Sequence, residues 1–394
     1  MKALEIFWRF LLLGCVSFGG PAAHIGYFNR VFVHQLKWLS QQEYGNLVAL
    51  SQVLPGPGSS QVGFALGLSR GGIAGGIAAF FGFTLPSFLL MFLLAAYPVS
   101  SDNVILSGIV SGLKLLAVVV VTDAIITMSK SFCNTRSLMA ITIATTAALL
   151  TFPHLWTQIV ILVLSALIGA SYFKSSVSNS KSTTAKVSSK LSRSAFTALL
   201  LFVALFILAI VSRNYATEWP LLDMTARFYH SGSLVFGGGH VVLPLLQQSF
   251  SEVISSDQFL LGYAAAQGVP GPMFSLATYL GAVVEPENAF VSATLATLAI
   301  FLPGFLLVLG LRKRWQYWAE KPAIAGAIAA INAAVVGLLM SALYNPVFVN
   351  AVSYGQDMAA VIVGFFLLSR LKLPVMYLVF GFIAFGVMSA LIGI

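Results

Sequence analysis

Apolar runs, most of them about twenty residues long, follow one another along the whole chain, separated by short polar breaks. That is the length a helix needs to cross hydrocarbon. The runs fall at about 7–27, 47–69, 71–97, 104–129, 137–152 and 155–173, and again at about 228–247, 258–282, 289–311, 323–344, 357–369 and 374–394. One more, about 195–212, lies between the two sets. The pattern predicts an all-α polytopic membrane protein with about 13 transmembrane segments, the fifth of each set being short. Only 174–194, rich in Ser, Thr and Lys and without an acid, reads as a disordered linker. The expected parts are therefore a first repeat at 1–173, a cytoplasmic linker at 174–194, an extra helix at 195–212 and a second repeat at 213–394.

Three motifs recur in order in the two halves. Phe18-Gly19-Gly20 with His24 matches Phe236-Gly237-Gly238-Gly239 with His240. Gln52 with Pro55-Gly56-Pro57 matches Gln267 with Pro270-Gly271-Pro272. Leu85-Pro86-Ser87-Phe88 matches Leu302-Pro303-Gly304-Phe305. From Phe to Gln the separations are 34 and 31 residues, and between the prolines 31 and 33, which indicates a duplicated unit. Six segments per half plus one intervening helix turn the second half over, giving inverted-topology repeats of the kind many secondary transporters use.

Composition agrees and narrows the class. Charged residues are 8% of the chain against roughly 25% in soluble domains, and mean hydropathy is +0.93. The first run lacks a small-residue cleavage site and is expected to stay as a span. With the N-terminus inside and strict alternation, 16 basic residues fall inside and four (Arg30, Lys37, Arg213, Arg227) outside, as the positive-inside rule requires. The net charge of +9 is scattered between apolar runs, so no nucleic-acid surface is implied. Cys15 and Cys133 are far apart and form neither a disulfide framework nor a metal site. No phosphate-binding loop or hydrolase motif occurs, so an enzyme is not expected.

Pro-Gly-Pro within an apolar run must break its helix, and broken backbone at membrane depth persists where it is buried or lines a cavity. A new helix starting at Gly58-Ser59-Ser60-Gln61 would leave free N–H groups and a positive dipole end there, suited to an anion, and Met273-Phe274-Ser275 would supply a second such end. The expected binding set is Gln52, Pro55, Gly56, Pro57, Ser59, Ser60, Gln267, Pro270, Gly271, Pro272 and Ser275. Lys114 and its repeat counterpart Asn332, deep in apolar runs, are expected within reach of the anion. His24, His240 and Asp123 are candidates for proton coupling. The plainer alternatives are tolerated proline kinks, hydrogen-bonded core histidines, an interfacial Asp123, and for Lys114 a structural pair with Asp123 or a snorkelling side chain. Lys114 lies about 13.5 Å along a helix from Asp123, too far for a direct bond between them. The glycines at 71–72 and 75–76 read as close helix packing.

Phe18 to Ile25, Gln52 to Pro57 and Leu85 to Phe88 resemble the N-terminal signature of the chromate ion transporter (CHR) family. Phe236 to Gly239, Val242 to Leu245, Gln267 to Pro272, Phe301 to Pro303 and Asn332 to Leu339 resemble its C-terminal counterpart, in the long two-domain type. His240 departs from the small or apolar residue expected there. The resemblance implies a multi-pass protein of the bacterial inner (plasma) membrane that exports chromate, with sulfate as a structural analogue. No cofactor or metal is implied; the partners are a small inorganic oxyanion and the lipid bilayer, and a homodimer is an allowed assembly. The alternatives are proton-coupled import of sulfate or another oxyanion, a passive channel, and a membrane-embedded lipid enzyme.

Overall fold

The computed structural model describes residues 2–18, 20–96, 104–153, 155–172, 192–212, 219–235, 242–312 and 321–392. Every regular element among them is helical. The first half holds α1 (Lys2–Val16), α2 (Gly20–Phe28, continued by a π-helical turn over Asn29–Gln35), α3 (Gln41–Val53), α4 (Gly58–Ala96), α5 (Val104–Phe132), α6 (Arg136–Thr151) and α7 (Leu155–Tyr172). Then come α8 (Arg193–Val211), α9 (Pro220–Leu234), α10 (Val242–Phe250), α11 (Ser256–Gly268), α12 (Leu276–Val284), α13 (Ala289–Leu311), α14 (Pro322–Ala342), α15 (Gly355–Ser369) and α16 (Val375–Ile392).

The runs at 7–27 and 47–69 do not cross straight; each doubles back at its break. Phe10 of α1 packs on Phe28 and Phe32, with ring centroids 5.5 and 4.7 Å away, so the chain beyond residue 17 returns alongside α1. Going up α2, His24 meets Ser59 and Phe28 meets Gly63, whereas Ile25 meets Tyr44 and Asn29 meets Gln41. The start of α4 thus runs with α2 and α3 runs against both. The second half repeats this. Phe228 packs on Phe250, and Tyr279 lies against Gly262 across the turn between α11 and α12. Each half therefore opens with two helical hairpins, α1–α2 and α3–α4, then α9–α10 and α11–α12. The second hairpin of each half is started by the same device, a capping box that satisfies two end donors. Ser40 and Glu43 form it before α3, Ser255 and Gln258 before α11.

Helix α4 itself reverses at Gly71–Gly72, where Gly72 has φ +64°. These two glycines make a turn rather than a packing seam; the seam lies beside it, where Gly67 and Gly75 meet backbone to backbone. Arg70 stacks over Trp38 at 5.4 Å, which places Arg30 and Lys37 at the same end as Arg70 rather than opposite it. Among the described residues six helices are long and apolar enough to cross a bilayer, Gly58–Ala96 being one of them. Helices α6 and α15, with 16 and 15 residues, are shorter than the roughly 20 a full crossing takes. The count of about 13 transmembrane segments is not confirmed among the described residues, where the runs at 7–27, 47–69, 228–247 and 258–282 turn back at their breaks.

The halves point in opposite directions. The first limb of α4 runs with α13, since Gln61 lies on Gly304 and Ser69 accepts from Arg312. Helix α12 runs against α13, with Thr278 bonded to Thr297 and Gly281 on Ala296. The halves also exchange their last helices. Helix α5 packs along α16 of the other half, Gly108 on Gly386. Helix α14 packs along α7 and α6, where Thr142 and Thr146 donate to the carbonyls of Ala333 and Gly337 at 2.8 and 3.2 Å. Helices α8 and α16 face outward with exposed Phe196, Leu200, Phe380 and Met388, an apolar exterior suited to lipid.

Candidate functional site

The two Pro-Gly-Pro tips meet the opposite half by matching contacts. Gly56 N–H donates to the Val235 carbonyl at 2.7 Å, and Gly271 N–H donates to the Ser17 carbonyl at 2.9 Å. Ser17 and Val235 hold equivalent places, at the end of the first helix of each half. Both glycines have positive φ, +121° and +108°, which L side chains rarely adopt. A Cβ on Gly56 would stand 2.9 Å from Gly304 Cα, and one on Gly271 2.9 Å from Ser87 Oγ. Gly304 and Ser87 each follow the matched proline, Pro303 and Pro86. Each tip is thus clamped between the first helix and the proline-bearing helix of the other repeat.

Two helices begin where the tips cross. The first limb of α4 starts at Gly58, held by the Gln61 side chain donating to Pro55 O at 2.7 Å. A 3₁₀ turn over Met273–Ser275 leads into α12, with Ser275 N–H donating to Pro272 O at 3.0 Å. First-turn N–H groups have no acceptor within their own helix, and each N-terminus carries roughly half a positive charge. Buried polar atoms without a hydrogen-bond partner gather around these ends: Ser17, Ser60 and Ser275 Oγ, Thr84 Oγ1, Gln61 Oε1 and Gln267 Nε2. Each such atom costs about 1–3 kcal/mol while unpaired, so this region can take a polar occupant. Hydroxyls and a carboxamide nitrogen are donors, which suits an anion.

His24 joins the parts. Its Nε2 donates to the Ser17 carbonyl and its Nδ1 faces Ser59 Oγ, both at 3.2 Å, and the ring is fully buried. The Ser17 carbonyl also receives Gly271 N–H, so His24 ties the second-half tip to the first-half helix start. A cavity of roughly 150 Å³ adjoins these tips. Gly20, Asp123, Gln267, Gly271 and Met273 line it, with Val120, Leu368 and Val375 closing the side toward α5, α15 and α16.

Of the residues expected from the sequence, the structure brings together Pro55, Gly56, Pro57, Ser59, Ser60, His24, Gln267, Pro270, Gly271, Pro272, Ser275 and Asp123 around the tips. Gln52 is exposed on the last turn of α3. Asn332 is buried on α14 with its Oδ1 unpartnered, and it does not line the cavity. Lys114 is not brought into the group. Its Nζ pairs with Asp257 Oδ1 at 2.5 Å, at the start of α11, about two and a half helical turns along α5 from Asp123. A largely desolvated ammonium takes the carboxylate the opposite half presents there. His240 and Phe236 to Gly239 lie outside the described residues, as does the linker to 191. Sequence reasoning missed Ser17, Gln61, Thr84 and Asp257. Ser17 and Val235 precede the matched Phe-Gly-Gly motifs, which was the available signal; nothing local marked Asp257.

Oppositely directed halves, each with helices broken where they meet, define a membrane transporter of the inverted-repeat class. The chain belongs to the chromate transporter family, whose model matches residues 4–170 and 222–388, one match in each half. It is 29% identical to an uncharacterized transporter of Methanocaldococcus jannaschii, over 78% of this chain and 75% of that protein. It is 27% identical to a chromate transport protein of Pseudomonas aeruginosa, over 86% and 80%. To a probable chromate transport protein of Synechococcus elongatus it is 26% identical, over 85% and 82%. No solved structure matches the chain.

Proposed function

We propose that the chain is a secondary carrier, not an enzyme, that exports chromate and similar tetrahedral dianions across the bacterial inner membrane. The observation that carries this is the crossing of two Pro-Gly-Pro tips, with helix starts and unpartnered donors gathered beside them. Two half-charges from the helix ends, with the donors of Ser60, Ser275 and Gln267, offset much of a dianion's charge without holding it tightly. The relatives named chromate transport proteins support the substrate class.

Orientation follows from charge. Moving Arg30 and Lys37 to the end that carries Lys2, Arg9 and Arg70 changes the split of basic residues to 18 against 2, which favours that end as cytoplasmic. Outward movement of a dianion from a negative interior releases about 4.6 kcal/mol per 100 mV, twice the single-charge value. Export then needs no nucleotide. A second reading, proton-coupled uptake, is favoured by Asp123, a carboxylate in the cavity that an anion would tolerate best when protonated. Uptake would take at least three protons per dianion to reverse the charge balance.

The test is chromate and sulfate flux in proteoliposomes under imposed potentials. Export predicts saturable flux that runs toward the positive side and needs no pH gradient. Flux that requires an inward proton gradient would replace this reading with the second, and no saturable flux of either anion would overturn both.

A further inference from the structure

A second polar cavity, of about 420 Å³, lies under α6, α10 and α14. It borders α14 and α6, the repeat counterparts of the α5 and α15 that border the first cavity, and no residue of either Pro-Gly-Pro tip lines it. Val120 and Asp123 of α5 line the first; Leu338 and Ser341, their counterparts on α14, line the second. Leu368 of α15 closes the first, and Leu149 of α6, the helix that corresponds to α15, closes the second.

The two lie on opposite sides of the crossed tips. Ser251 and Ser256, at the open end of the second-half hairpins, border the second cavity together with the C-terminal end of α14. The N-terminal part of α5 is tied to that same end by Lys114 and Asp257, and α5 meets the first cavity nine residues further on, beside Gln267 and Gly271.

Their chemistry differs. Where the first cavity has Asp123, the second has Ser341, and no acid or base is among the residues that line it. Its polar wall includes Gln158, Gln247, Gln248, Ser251, Ser341 and Asn345. Gln158 and Gln247 are 5% and 8% exposed, and the Oε1 of each has no partner. Buried carboxamide oxygens call for water. Gln158 Nε2 already donates to Gln248 Oε1 and Gln248 Nε2 to the Pro153 carbonyl, so the donors this wall offers an anion are Ser341, Asn345 and the Gln247 carboxamide nitrogen. The volume far exceeds one water's share of about 30 Å³. A neutral, wet, donor-bearing wall accepts an oxyanion with part of its hydration shell and releases it readily.

We propose that this cavity is a second oxyanion site, where a partly hydrated tetrahedral dianion rests on the far side of the tips from Asp123. The proposal rests on the transport reading above. The test uses the full chain with Cys15→Ser and Cys133→Ser, reconstituted in vesicles, carrying Ser341→Cys or Asn345→Cys as reporters here and Leu368→Cys as reporter in the first cavity. A membrane-impermeant thiol reagent is applied from each face in turn, with and without sulfate, a dianion that does not oxidise thiols. The expected result is labelling of residues 341 and 345 from the face opposite the linker, slowed several-fold by sulfate. Gln247→Leu should remove that protection and leave protection at 368 intact. Protection at 368 but none at 341 or 345 overturns the second site while leaving the transport reading standing. Protection unaffected by Gln247→Leu also overturns it. Absence of protection at all three positions, with no flux, removes both.

Discussion

Gly56 and Gly271 show how a few backbone atoms join two halves of a large chain. Each supplies one N–H to the other repeat, in a conformation that only glycine adopts without strain. Gly271→Ala puts a Cβ 2.9 Å from Ser87 Oγ at φ +108°, so it should cost well over about 1 kcal/mol. The expected outcome is a lower thermal midpoint and flux reduced at least tenfold, whereas Gly381→Ala, with open space around it, should be neutral in both assays. His24 makes a separate case. Both ring nitrogens are engaged within the fold, which makes it a positioning group for the Ser17 carbonyl and Ser59. His24→Gln should keep a substantial part of the flux with an unchanged pH profile, and His24→Leu should lose it; a shifted pH profile for His24→Gln would restore the coupling role. The Pro-Gly-Pro motifs were legible in the sequence because two prolines break any helix. Their partners were not, because Ser17 and Val235 are met through carbonyl oxygens, which no side-chain pattern encodes.

At the scale of elements, hydropathy gave the length of each apolar run but not whether it crosses or turns back. A break such as Pro-Gly-Pro allows either, and contacts with distant helices decide. The repeated capping boxes at Ser40–Glu43 and Ser255–Gln258 were a readable mark of a helix start just before each Pro-Gly-Pro hairpin. Lys114 was legible as an outlier, but its carboxylate stands 143 positions away in the other half. With Asp257 68% exposed and Lys114 only 15%, the pair acts chiefly by giving a buried ammonium its counter-charge and fastening α5 to α11. Asp257→Lys alone should reduce folded yield and flux several-fold. The double exchange Lys114→Asp with Asp257→Lys should recover most of both. Failure of the exchange to recover flux, with yield restored, would mean that Lys114 contributes its charge to the anion directly.

Across the whole molecule, the duplication was visible as three motifs at matched separations, and the opposite direction of the halves followed from the odd helix between them. The exchange of final helices was not visible. Glycine-lined seams such as Gly108 on Gly386 and Gly326 on Gly169 pair surfaces from different halves that carry no distinguishing composition. Orientation makes a simple prediction: Lys181→Cys in the linker should react with an impermeant thiol reagent only from the cytoplasmic face, and shortening the linker should leave flux intact.

The central claim is that the anion passes between crossed tips from oppositely directed halves, met there by the donors of two helix starts. The direct measurement is saturable chromate flux by the paired Ser60→Ala, Ser275→Ala protein in proteoliposomes, set beside wild type at equal folded amount. Hydrogen bonds to a charged ligand are worth about 1.5–3 kcal/mol each. The account predicts a KM raised at least tenfold, with the thermal midpoint unchanged or higher, because both hydroxyls are buried without a partner within the protein. Wild-type KM and rate in that variant would contradict it.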